Sequence, residues 1–124
     1  MFGENINIEV VILFRITLAA LLAFIPGIER ELTGKFAGLR THILVCLGAC
    51  IYTLLSIYGF QNTVSTPGVI TQNDPARIAA QIITGIGFIG AGTVMRHGSS
   101  VSGITTAATL WVCAAIGMSC GCGA

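Results

Sequence analysis

The eighteen residues between Arg77 and Arg96 carry no formal charge, and that run constrains the chain more than any other feature. At about 1.5 Å per residue, a helix of that length covers roughly 27 Å, most of a hydrocarbon core of roughly 30 Å. Its start is punctuated: Asp74 can cap the free N–H groups of a first turn, and Pro75 suits the first helical position. Its interior is crowded with Gly85, Gly87, Gly90 and Gly92. In water each glycine would weaken a helix by about 1 kcal/mol relative to alanine. In lipid, small residues let a second backbone come close, which is how membrane helices associate. Ala76, Ala80, Thr84, Gly87 and Ala91 recur every three or four residues, one small-residue face that reads as the packing spine of a membrane bundle.

Gly85, Gly87 and Gly90 also spell G-x-G-x-x-G. A dinucleotide site would need an acidic residue about twenty positions further on, inside a βαβ unit. No Asp or Glu follows Asp74, so the motif lacks its context. Hydrophobic residues make up 54% of the chain and charged residues 9%, against roughly 25% charged in soluble domains. Such a chain has too little polar surface to stay in water and reads as an integral membrane protein. A net charge of +1 with no basic patch argues against a nucleic-acid partner. The 124 residues set an upper bound of one domain.

The start, MFGENINIEV, has no positively charged n-region and no cleavage pattern, so the first apolar segment is expected to stay as a helix. Four spans are expected. The first runs from about Ile8 to Ile28, closed by Pro26 and Gly27; the second from Thr41 or His42 to about Tyr58; the third is the glycine-rich run; the fourth covers roughly Val101 to Gly121. Gly103, Ala107, Ala114, Gly117 and Gly121 repeat a small face, so segments three and four are expected to form a packed hairpin across the turn Arg96–Ser100. Arg30, Lys35 and Arg40 in the first loop and Arg96 in the third outnumber Arg77 at the edge of the second. The positive-inside rule then puts loops one and three in the cytoplasm and the amino terminus outside, in the periplasm. The loop over 59–73 is uncharged and rich in turn formers. Cys46, Cys50, Cys113, Cys120 and Cys122 are odd in number and lie in apolar stretches, which is not a disulfide framework.

Chemistry-bearing residues are few. Arg15 lies inside the first span; it either faces the bundle interior as a functional group or snorkels to the nearer interface. Hard divalent cations such as magnesium take oxygen ligands, chiefly carboxylates and retained waters, and Glu9, Glu29, Glu31 and Asp74 are the available acids. Glu29 and Asp74 are the metal candidates, yet this topology puts them at opposite membrane faces, and Glu29 and Glu31 diverge on a helix. The ligand spacing therefore does not support a magnesium cofactor. The plainer roles are a helix cap for Asp74 and a partner of Arg30, Arg40 or Arg96 for Glu29. Those three arginines could also bind an anionic ligand or headgroup, although the plainer reading of the same residues is ordinary positive-inside anchoring. His42, Cys46 and Cys50 share a helix face, a set suited to soft metals or, more plainly, to core packing. There is no Ser/His/Asp set, no zinc-hydrolase pattern and no paired carboxylates, so an enzyme is not expected. His97 reads as interfacial.

PGIERELTGKFAGLRTH, DPARIAAQIITGIGFIGAGTVMR and GITTAATLW, in that order, resemble the membrane domain of the MgtC/SapB family of bacterial inner-membrane proteins. The resemblance covers nearly the whole chain. It assigns Glu29 and Arg30 to a G-x-E-R-E block, Arg40 and Thr41 to G-L-R-T, and Asp74, Arg77, Ala80 and Gln81 to a third block, completed by the glycines from Gly85 to Gly92 and by Thr105 to Thr109. It implies an all-α, polytopic transmembrane helix bundle, normally of five spans. It also implies a part in magnesium homeostasis and low-magnesium growth, with magnesium transport as one reading, and in pathogens survival within host cells. Some members of the family are thought to act instead by binding membrane partners such as the ATP synthase. The chain departs from the pattern at Pro26 and stops where a fifth helix would begin, so a single truncated or short membrane domain, with no soluble carboxyl-terminal domain, is expected. Open small-residue faces add the expectation of a homodimer.

Overall fold

A computed structural model of the protein describes residues 2–34, 37–59, 74, 76–97 and 100–123. Lys35, Pro75 and the loop over 60–73 lie outside the described residues. Four helices carry the architecture: α1 (Phe2–Leu32), α2 (Leu39–Leu54) continued by a π-helical stretch (Leu55–Gly59), α3 (Ala76–Thr93) and α4 (Ile104–Cys122). Between α3 and α4 a small antiparallel ribbon pairs β1 (Met95–His97) with β2 (Ser100–Ser102). The fold is the expected all-α bundle. The segments Asn7–Leu32, Leu39–Gly59 and Ile104–Cys122 are each long and apolar enough to cross a membrane. The eighteen-residue α3, with Arg77 and Gln81 near its start, is not among those three.

Residue contacts fix the directions. Gly27 of α1 abuts Leu39 and His42 at the start of α2, and Arg15 reaches Tyr58 at its far end, so α1 and α2 are antiparallel. His42 meets Thr109, while Gly117 and Gly121 sit against the backbone at Cys46 and Cys50; α2 and α4 are parallel. Gly90 of α3 faces Ala107, which makes α3 antiparallel to α4. The core lies between α1, α2 and α4, where Ala19, Ala23, Cys46, Cys50 and Cys113 are fully buried. All five cysteines are free thiols, and Cys122 is exposed. Around this core Leu13, Phe14, Leu21 and Ile25 of α1 and Phe88 of α3 point outward, a surface suited to hydrocarbon and not to water.

Two expectations are corrected. Pro26 does not close the first helix; α1 passes through it to Leu32. Proline removes one backbone hydrogen bond, a loss that membrane helices tolerate, and Gly27 serves instead to admit α2. Nor does the small face of α4 belong to α3 alone. Ala107 packs there, but Gly117 and Gly121 press on α2, where an added Cβ at Gly117 would overlap the Cys46 carbonyl oxygen. Gly103, which starts α4, has φ +92, and a Cβ there would overlap the Thr93 carbonyl. That left-handed residue is what lets the ribbon turn α3 back into α4.

Candidate functional site

Polar side chains gather at both ends of the bundle. At the end where α1 gives way to α2, Arg30 folds back on its neighbour: its Nε donates to Glu29 Oε2 at 2.7 Å and a second nitrogen donates to Oε1 at 2.8 Å. Arg30 is 8% exposed, so this two-point pair supplies the charge compensation that burial requires. Glu31 points elsewhere. Its Oε2 accepts the Leu39 N–H at 3.0 Å, satisfying one of the free donors at the start of α2. The two acids diverge, as their spacing implies, and Arg30 is the arginine that Glu29 pairs with.

One turn into α2, His42 is fully buried. Its Nδ1 lies 2.8 Å from the Gly38 carbonyl and its Nε2 lies 2.9 Å from Thr109 Oγ1, while that hydroxyl also reaches the Thr106 carbonyl at 2.8 Å. A carbonyl only accepts, so Nδ1 carries a proton. The imidazole therefore bridges α2 and α4. Cys46 and Cys50 continue the same face, their thiols directed at the Ala19 and Arg15 carbonyls. Among the described residues no group of three or more His, Cys, Asp or Glu converges on a point.

At the opposite end, Arg15 donates to the Gly121 carbonyl at 2.9 Å and to Tyr58 Oη at 3.2 Å, with its guanidinium 5.8 Å from the tyrosine ring centre. Of the two readings open for Arg15, the geometry supports the bundle-facing one: the side chain closes the carboxyl end of α4, where helix carbonyls lack intrahelical donors and the dipole favours a cation. Asp74 caps α3 as expected, its Oδ1 accepting the Ala76 N–H at 3.0 Å. Glu29 and Asp74 thus belong to opposite ends.

The remaining sequence candidates are spread out. Arg40 is exposed and Thr41 half-buried. Arg77 and Gln81 are exposed along one side of α3, and Arg96 lies in β1 opposite Val101. Of the glycine-rich helix, Gly90 is buried against Ala107 and Gly87 approaches Trp111. Ala80, Thr84, Gly85, Ala91 and Gly92 are exposed in this chain. Sequence reasoning missed the His42–Thr109 bridge, the Glu31 cap and the Tyr58 partner of Arg15. The first joins residues 67 apart, and no local pattern signals such a pairing.

A bundle of apolar helices with an intramembrane arginine and helix-end polar clusters defines the class: a polytopic α-helical membrane protein. The family follows from comparison. The MgtC family model matches residues 16–124, and the chain belongs to that family. It is 47% identical over 111 residues to "Putative magnesium transporter YhiD" of Escherichia coli K12, covering 90% of this chain and 51% of that protein. It is 46% identical over 105 residues to "Protein MgtC" of Salmonella typhimurium, covering 85% and 41%. An uncharacterized protein of Synechocystis, slr0014, is 42% identical over 113 residues, covering 90% and 43%. The chain therefore spans about half the length of these bacterial relatives, or less. No solved structure matches.

Proposed function

We propose that this chain is a non-catalytic inner-membrane component of magnesium homeostasis that acts by docking onto other membrane proteins rather than by conducting the ion. Magnesium enters through the family and the printed name of the Escherichia coli relative. The docking reading is carried by one observation: the face of α3 formed by Ala76, Ala80, Thr84 and Ala91 is exposed in this chain, although small residues at that spacing suit close helix approach. The same face would take a second copy in a homodimer. Conduction has weaker support. Glu29 is committed to Arg30 and Asp74 caps a helix start, and a dication passing Arg15 would meet a like charge in a medium of low dielectric.

The test pairs flux with growth. The purified protein in proteoliposomes is expected to give no saturable magnesium uptake above empty vesicles. In cells dependent on it at low magnesium, Ala91→Leu is expected to abolish growth and Asp74→Ala to preserve most of it. Saturable flux that disappears in Asp74→Ala would overturn the docking reading in favour of transport.

A further inference from the structure

α3 leans on α4 and stands away from α2, and the space between α2 and α3 is a cleft of about 510 Å³. It exists because small residues face it from both walls: Gly48 and Ala49 from α2, Gly85 from α3. A Cβ added at Gly48 or at Gly85 would meet no heavy atom within 4 Å. The cleft runs along α3 from Ile78 to Ile89, eleven residues or about 16 Å of helix. We propose that it is a binding site for one anionic phospholipid, with an acyl chain lying in the cleft and the headgroup at Arg77.

Three observations select this occupant. The walls are almost wholly apolar, so water, which needs two to four polar partners, has no reason to fill the space, and an unfilled void of this size forfeits packing on both walls. The length matches one leaflet, about half of a core of roughly 30 Å, which is the reach of an acyl chain. The third observation is charge. Gln81 lines the cleft, and Arg77, one turn nearer the membrane surface on the same side of α3, is exposed; its backbone N–H bonds to the Asp74 carbonyl, but its guanidinium has no hydrogen-bond or ion-pair partner among the described residues. Asp74 is the nearby acid, and its carboxylate is engaged by the Ala76 N–H. A guanidinium at that depth offers forked donors to a phosphate. The site is separate from the α3 face assigned to protein docking and does not depend on it.

The experiment is native mass spectrometry of the full chain extracted from vesicles containing equal amounts of phosphatidylglycerol and phosphatidylcholine. The unaltered protein is expected to retain one phosphatidylglycerol. Gly85→Leu and, separately, Gly48→Leu fill the cleft from opposite walls and are each expected to remove it. Arg77→Gln is expected to keep a retained lipid but to lower the preference for phosphatidylglycerol about fivefold, the effect of one arginine near an anionic headgroup. Ala115→Leu adds the same bulk on an exposed part of α4 and should change nothing. Helix content by circular dichroism accompanies each variant; if one filling variant loses helix, the other carries the test. Retention that survives a folded filling variant, or that Ala115→Leu removes equally, would overturn the proposal. So would a retained lipid with no anionic preference in the unaltered protein.

Discussion

Arg15 is the clearest case of a residue whose chemistry was visible and whose partner was not. A guanidinium inside an apolar span must be satisfied by something, and here two neutral oxygens do it, the Gly121 carbonyl and Tyr58 Oη. Arg15→Ala is expected to destabilise the bundle by about 1–3 kcal/mol, because it strips a helix-end carbonyl of its charged donor. Denaturant unfolding in detergent measures this, and Arg15→Lys should recover part of the loss by restoring a cation near the Gly121 carbonyl. His42 tests the same logic at the other end. Thr109→Val removes one hydroxyl from the bridge and should cost about 0.5–1.5 kcal/mol. His42→Ala, which also leaves a cavity at a fully buried position, should cost more, on the order of 2–4 kcal/mol. If the two variants were equal, the imidazole would contribute nothing beyond its bond to Thr109. Asp74 was legible because a cap is a local device; the His42 bridge spans two helices far apart in sequence, and composition cannot reveal it.

Among the elements, glycine spacing signalled close approach without naming the neighbour. Small residues on α4 suggested a hairpin with α3, yet Gly117 and Gly121 receive the backbone of α2 at Cys46 and Cys50. Which helix fills a small face depends on the bundle's arrangement, and one sequence carries no record of it. The same substitution should therefore have opposite signs on the two helices. Gly117→Ala forces the α2 and α4 backbones apart, and a loss of 1–3 kcal/mol, of the order seen for overpacking, is expected. Gly85→Ala puts a methyl into the cleft, where it meets no protein atom within 4 Å, and should be neutral or stabilising by up to about 1 kcal/mol through helix propensity. Thermal unfolding of the two variants side by side is the measurement. Equal destabilisation would mean that α3 packs closely at Gly85 as well. Proline misled in the other direction: Pro26 reads as a helix end in water, but α1 needs only to survive one missing hydrogen bond to continue to Leu32.

For the whole molecule, the apolar runs made the fold class readable, and for the three segments long and apolar enough to cross a membrane also the boundaries to within a few residues, since a bilayer demands lengths that few other environments do. Orientation rests on the distribution of basic residues and is open to a direct check, because the alternation of α1 to α4 places the end of α1 and the end of α4 at opposite ends of the bundle. Thr33 is exposed just beyond α1, and Cys122 is exposed at the end of α4, while the other four cysteines are buried. With three of the six basic residues in the first loop, that end is expected to face the cytoplasm. In intact cells, a membrane-impermeant maleimide should therefore label Cys122 from outside. A Thr33→Cys variant made on a Cys122→Ser background should resist the reagent until the membrane is opened. Labelling in the reverse order would invert the bundle, putting the Glu29–Arg30 pair outside and the cleft's Arg77 mouth in the cytoplasmic leaflet. The helix contacts would all stand unchanged, since nothing in the packing of α1 against α2 and α4 distinguishes one side of a membrane from the other.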